Sequence, residues 1–377
     1  MVFFLRSLLA QPLLNGYMVY RIWKSRDLKQ AWKWALIMLY AVETLFFLFT
    51  FVAGYRFSME QYAMMQTISG IWVISQGYLI GLILLFDLFF FFANRFHFLS
   101  LFKESKIRRA KVIAFLCIFC WSGFQLYRGH ENFIHPAVNY YTYTFGVGEE
   151  GARARFRLVV ATDLHLGYIV NTQALERFVN AMNAQQPDIV VMGGDLIDYG
   201  LHPLVAGAMD TTLRRIQAPH GIFFILGNHE YKRETERSLR WIAERCGMTV
   251  LRDSVVKIDS TLYLIGRDDR KNREKRLSLE ELLEKTDPAF PCILFSHQPG
   301  DIPDSYRCGV PLTICGHTHG GQVFPANWMV RWIFPNGYGW QYSGASASYT
   351  SSGLGVSGFP LRIGSRSELV VLDIEIY

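Results

Sequence analysis

Charge is scarce in this chain. Asp, Glu, Lys and Arg make up 19% of 377 residues, against 51% hydrophobic residues, an unusual balance for a purely soluble protein. Cysteine is scarce too. Of the six present, only Cys117 and Cys120 stand at CxxC spacing, and they do so inside an apolar run. Neither a zinc knuckle nor a thioredoxin-like motif is therefore suggested. Small core residues are the expectation for both, and for Cys292 and Cys315 in expected buried strands. There is no Ser-His-Asp or Cys-His arrangement that demands a nucleophilic side chain. The net charge of +6 is uneven, with Lys and Arg gathered between apolar runs of the first third. That pattern favours a membrane topology signal and excludes a nucleic-acid footprint as the first reading.

Four apolar runs fill that third: Val2–Tyr20, Trp34–Val52, Ile71–Ala93 and Val112–Tyr127. The second and third reach the ~20 residues that a bilayer core requires. The first is interrupted by Arg6, Gln11, Pro12 and Asn15, and the fourth is short. Segment 21–33 carries Arg21, Lys24, Arg26, Lys29 and Lys33 against Asp27. Segment 95–111 carries Arg95, Lys103, Lys106, Arg108, Arg109 and Lys111 against Glu104. The positive-inside rule makes both cytoplasmic and the 56–68 loop external. If the fourth run spans, everything after Tyr127 is external as well. The expectation is a multi-pass cell-membrane protein with an extracytoplasmic second part. Glu43 and Asp87 lie within runs, where a carboxyl costs about 2.5–3.5 kcal/mol and faces the bundle interior. The spacing would let them face each other and share a proton.

From Arg155 onward, apolar strands alternate with helical segments, as in sheets covered by helices. Phe156–Ala161 runs into Asp163-Leu164-His165, Asp188–Met192 into Gly193-Gly194-Asp195, and Gly221–Leu226 into Gly227-Asn228-His229-Glu230. Cys292–Phe295 leads to His297, and Leu312–Cys315 to Gly316-His317-Thr318-His319. Ligands collect outside the carboxyl ends of strands in such folds, so the polar clusters can converge. They offer two carboxylates (Asp163, Asp195), the Asn228 amide oxygen, and the imidazoles of His165, His297, His317 and His319. O and N donors without thiolate suit Mn, Fe, Zn or similar divalent ions. Seven ligands exceed one tetrahedral ion and suit two ions about 4 Å apart, which clamp both oxygens of a phosphoryl displacement and activate water as hydroxide.

These five motifs, in this order, resemble the signature of the calcineurin-like metallophosphoesterase superfamily: D-x-H, GGD, GNHE, a lone His, and GHTH. The resemblance covers about residues 155–377 and implies an α/β fold, a four-layer αββα sandwich. An all-α transmembrane region of about four helices (1–128) and a linker (129–154) would precede it. Carried over residue by residue, it places Asp163, His165 and His319 on one metal and Asn228, His297 and His317 on the other, with Asp195 bridging. It makes His229 the group that protonates the leaving oxygen or stabilises transition-state charge, oriented by Asp198 or Glu230. Two divalent ions are implied, with manganese favoured and zinc, iron or magnesium open. Purple acid phosphatases have a Tyr ligand three residues after the bridging Asp. This chain has Asp198 there, so an iron–tyrosinate centre is not implied. The tail from Tyr349 to Arg362 and the segment Gly266-Arg267-Asp268-Asp269 are similar to exported or membrane-tethered bacterial phosphoesterases.

Two features bear on substrate. Arg267, Arg270, Lys271, Arg273, Lys275 and Arg276 form a basic stretch that is either a solvated loop or a cradle for a second phosphate. Arg267 and Arg362 are the candidate substrate-binding residues. Val323–Tyr342, with Trp328, Trp332 and Trp340, is either core or a surface resting on the bilayer. The expected activity is hydrolysis of phosphodiester or pyrophosphate bonds, on a lipid-linked or small phosphoester, by metal-activated hydroxide. A pyrophosphatase of the UDP-diacylglucosamine type, acting on the cytoplasmic side, is the alternative enzyme. A non-catalytic membrane scaffold or sensor is the alternative from another class. A transporter would rest on Glu43 and Asp87 alone.

Overall fold

The computed structural model of the chain describes residues 2–25, 28–97, 104–146, 151–272 and 275–377. Arg26, Asp27, Lys103 and Arg273 lie outside them, as does the side chain of Arg6. The chain divides into two compact units, Met1–Arg128 and Gly129–Tyr377.

The first unit is built from α1 (Val2–Lys24), α2 (Gln30–Ala53), α3 (Met59–Arg95) and α4 (Glu104–Ile134). Ser58 starts α3 with a reciprocal cap to Gln61, which satisfies end groups that no helical partner reaches. Among the described residues, α2 with its following turn, α3 and α4 are long and apolar enough to cross a membrane, and α1 is not among them. The sixteen-residue apolar run counted in α4 understates it. The helix extends past both ends of that run to 31 residues; at its start Glu104–Lys111 is rich in good helix formers without being apolar. On its surface Cys117 and Cys120 are exposed, not core residues. Phe89, Phe91 and Phe92 of α3 are exposed as well.

Glu43 and Asp87 do not meet, which corrects the shared-proton expectation. Gln11 Nε2 and Asn15 Nδ2 donate to the two Glu43 oxygens at 2.6 and 2.5 Å, and Arg21 pairs with Asp87. Both carboxyls take their partners from α1. The polar residues that make α1 a poor span by composition are therefore the ones that the interior of the bundle uses. A carboxyl surrounded by apolar side chains goes to the nearest donors, and α1 supplies them. Asn15 also donates to Thr44 Oγ1 at 2.7 Å. Replacing it by Leu is expected to lower the stability of the unit in micelles by about 1 kcal/mol, the scale of interhelical hydrogen bonds in bundles of this kind. Thermal unfolding followed by circular dichroism measures it.

The second unit holds two six-stranded sheets. In the first, the spatial order is β1 (Ala137–Phe145), β12 (Glu368–Ile376), β2 (Ala154–Ala161), β3 (Ile189–Met192), β4 (Ile222–Ile225) and β5 (Thr249–Leu251). The second runs β10 (Gly339–Ser343), β11 (Ser346–Thr350), β9 (Leu312–Cys315), β8 (Cys292–Phe295), β7 (Leu262–Gly266) and β6 (Ser254–Ile258). Strand side chains alternate between faces, and the burial follows that alternation. Leu158, Val160, Val191 and Ile225 meet Leu264, Ile293, Phe295 and Ile314 between the sheets. Val159, Ala161, Val190 and Met192 point the other way, into a core shared with Leu175, Phe178 and Met182 of helix Thr172–Asn183. Ile265 and Leu294 do the same on the far side, against Leu279 and Leu282. The result is four layers, αββα.

The linker expected at 129–154 is mostly structure. Gly129–Ile134 completes α4, and β1 pairs with β12 in parallel along its whole length. Its alternation explains this. Tyr141, Tyr143 and Phe145 face the inter-sheet core, while Tyr140, Thr142 and Thr144 face outward.

Candidate metal centre

The motif residues sit where β2, β3, β4, β8 and β9 run out, and their turns are hydrogen-bonded to one another. Asp163 N donates to Gly194 O at 3.0 Å, His165 N to Asp195 O at 2.9 Å, and Gly316 N to His297 O at 3.0 Å. Asp163, His165, Asp195, His317 and His319 all have positive φ, between 50° and 72°. Non-glycine residues enter that region at a cost, and such strain gathers at functional sites. Here it bends each chain sharply past the strand end, so that the side chain turns inward. Two glycines allow close approach to the carboxylates. A Cβ on Gly227 would collide with Asp195 Oδ1, and one on Gly316 with Asp163 Oδ2.

Seven side chains thereby share one small volume. The donor atoms of Asp163, His165 and His319 lie within 4.8 Å of one another, as do those of Asp195, His297 and His317, and those of His165, Asp195 and His229. His165 Nε2 is 3.0 Å from His319 Nε2, and His319 Nε2 is 3.5 Å from Asp163 Oδ1. Asp195 Oδ2 lies 3.2 Å from His297 Nε2, 3.7 Å from His165 Nε2 and 3.8 Å from His229 Nε2. Asn228 Oδ1 is buried without a hydrogen-bond partner. A bare amide oxygen in a protein interior is costly, and facing imidazole nitrogens 3 Å apart call for something between them. The residues fit divalent cations.

The electrostatics point the same way. Burial raises the Asp195 carboxyl, but His297 and His229 outweigh it and hold it well below the ordinary carboxylate range. Burial disfavours charge on His297, yet Asp195 overrides this and lifts the imidazole well above its usual value. His317 goes down to about 4, through burial and then the neighbouring His297. His319 goes well below its usual value through burial and then His165. The carboxylates demand positive charge here, and two of the imidazoles, His317 and His319, are kept neutral, as metal ligands are.

Sequence alone left two residues to orient His229, and the structure separates them. His229 Nδ1 lies 2.9 Å from the Asp198 carbonyl and 3.2 Å from its Oδ1, which leaves Nε2 facing the cluster. Glu230 instead accepts from the backbone of Gly227, Asp195 and Ile197 at 2.8, 3.0 and 3.1 Å. Burial, and then Asp195, push its carboxyl up to about 7. Glu230 holds the turns, and Asp198 holds the ring. Lys232, which the motif reading missed, brings its Nζ to His229 Nε2. Its only sequence signal is its place three residues on, in the same turn.

The two arginines proposed for substrate have other partners. Arg362 is fully buried and donates to Gly355 O at 2.6 Å, Gly353 O at 3.0 Å and His319 O at 3.2 Å. Arg267 is 7% exposed and faces Asp301 and Asp304 at 3.7 and 3.6 Å. A guanidinium on a turn beside the site is as well suited to tying carbonyls as to binding phosphate. Burial decides between these uses here.

Residues 156–321 match the model of the calcineurin-like phosphoesterases. The chain is 31% identical over 228 residues to an uncharacterized metallophosphoesterase of Aquifex aeolicus, covering 58% of this chain and 85% of that one. It is 30% identical over 223 residues to one from Helicobacter pylori strain J99, covering 58% of this chain and 59% of that one. It is 31% identical over 238 residues to a bovine transmembrane protein with a metallophosphoesterase domain, covering 58% of this chain and 53% of that one. This chain thus spans little more than half the length of the last two. With its motif residues gathered between two sheets and helices long and apolar enough to cross a membrane ahead of them, the chain belongs to the calcineurin-like phosphoesterases.

Proposed function

We propose that this protein is a membrane-anchored, metal-dependent phosphoester hydrolase acting on phosphodiester or pyrophosphate bonds, with a lipid-linked compound as its substrate. The observation that carries the reading is the pair of donor groups flanking Asp195, one made by Asp163, His165 and His319 and the other containing His297 and His317. Asn228, with its unpartnered oxygen, would join the second. Two divalent ions held there, manganese being our first choice, would supply Lewis acidity and hydroxide near neutral pH.

The chain's own residues do the rest. Asp195 supplies negative charge to both ligand groups at once. The Asp163 carboxylate accepts from His317 N at 3.0 Å, which fixes the turn that carries two imidazoles. His229, its Nδ1 held at Asp198, offers Nε2 for passing a proton to the leaving alkoxide. One P–O bond breaks, water supplies the new one, and the leaving oxygen departs as an alcohol or a phosphate.

Purified full-length protein with Mn²⁺ is expected to hydrolyse bis(4-nitrophenyl) phosphate and to stop on addition of EDTA. No turnover with any divalent metal would favour the scaffold reading. The charge pattern of the loops supports an extracytoplasmic second unit. A reporter fused after Gly129 that is active in the cytoplasm would overturn that side assignment and favour the cytoplasmic pyrophosphatase.

A further inference from the structure

The helix Ala326–Ile333 follows His319–Gly321 directly, and it is inverted relative to an ordinary surface helix. Trp328, Met329, Trp332 and Ile333 are 61, 55, 91 and 64% exposed, and none of its residues is buried. Phe324, against the Trp328 ring, extends the patch. Arg331 stands at its border. Soluble proteins do not leave four large side chains bare on two turns without a use for them. Tryptophans on one face with a cation at the edge are the pattern of a helix lying in a bilayer interface.

The surroundings within the second unit name the occupant. Phe324 N donates to Ile363 O at 2.6 Å, and the preceding residue, Arg362, donates from its N to Gly129 O at 2.8 Å. The apolar patch is therefore one short segment away from Gly129, where the chain leaves this unit. It leaves through α4, an unbroken helix over Glu104–Ile134 that is apolar and long enough to cross a membrane. The other end of the patch reaches the metal centre, where the His317 ring lies edge-on to Phe334 at 5.7 Å.

We infer that the helix Ala326–Ile333 docks in the headgroup–acyl boundary of the bilayer, burying Trp328, Met329, Trp332 and Ile333. The metal centre then takes phosphoesters whose apolar portion stays in the membrane. This rests on the proposed hydrolase activity for its substrate half, but the docking stands or falls separately.

The test uses full-length protein with Cys117, Cys120 and Cys308 replaced by Ala, reconstituted in phosphatidylcholine–phosphatidylglycerol nanodiscs. A nitroxide is placed at Trp332→Cys, or at Glu284→Cys as an exposed control. The label at 332 is expected to lose accessibility to a water-soluble nickel chelate and to gain accessibility to oxygen, while the control stays open to the chelate. Equal chelate accessibility at both positions would overturn the docking. Dipolar broadening between labels at 332 would also overturn it, because a second copy would then cover the patch. Turnover of bis(4-nitrophenyl) phosphate by the labelled proteins reports that they are folded. A Trp328→Glu, Trp332→Glu variant is expected to keep that turnover while a label at 329 returns to the aqueous phase. Loss of turnover in the unmodified protein would count against the hydrolase, not against the docking.

Discussion

Asp195→Asn is expected to lower turnover of bis(4-nitrophenyl) phosphate by about a thousandfold, the upper range for removing one charge-stabilising group from an active site. The substitution is close to isosteric. The oxygen that accepts from His229 N at 2.8 Å survives in the amide, so the turn keeps its shape. The loss is of charge and of the second carboxylate oxygen, the one surrounded by His297, His165 and His229 at 3.2 to 3.8 Å. With one negative charge fewer, the two imidazole groups have nothing to join them. Bound metal, measured by plasma mass spectrometry, is expected to fall with activity. An Asp195→Asn protein with undiminished turnover would contradict the bridging role, whatever the metal.

Arg362→Met is expected to cost the second unit about 3 kcal/mol, the upper scale for hydrogen bonds made by a charged group. Burial lowers the Arg362 pKa to about 10, so the group remains charged at neutral pH. Its guanidinium donates to the carbonyls of His319, Gly353 and Gly355; the first two also accept from Gln322 N and Glu368 N, so the unsatisfied group left behind is the Gly355 carbonyl. For a unit of this size the loss corresponds to a fall in Tm of about 6–12 °C, measurable by scanning calorimetry. Arg362→Lys is not expected to rescue it, because one ammonium cannot reproduce a planar fork spread over three carbonyls. A residue first considered for substrate thus acts on the fold around His319.

The layers and the strand-end motifs were readable because they obey local rules. Buried parallel strands read as short apolar runs, and Cys292–Phe295 and Leu312–Cys315 match the expected bounds residue for residue. What was not readable depended on partners distant in sequence. β1 looked like a linker because the strand it pairs with, β12, lies more than 200 residues away (Ala137 pairs with Glu368). Val323–Tyr342 reads equally as core or as a bilayer surface, because nothing in the sequence says that the apolar face of the helix Ala326–Ile333 is the exposed one. Glu43 and Asp87 could be placed in helices, but not with their donors on α1, since α1 did not read as a clean span. In the metal centre the identity and order of the motif residues were legible. Whether Asp198 or Glu230 held His229 was not, because both are acids in the same two turns and only geometry distinguishes them.

The position of β12 has a consequence for how the protein is made. It lies between β1 and β2 in the first sheet, yet it is synthesised last of the twelve strands among the described residues. While the ribosome moves from Ala161 to Glu368, β1 and β2 both have an open edge and no contact with each other through the sheet. Contacts of such large sequence separation form late and slowly. The first sheet is therefore complete only when β12 inserts between β1 and β2, after the long apolar helices described above have been translated.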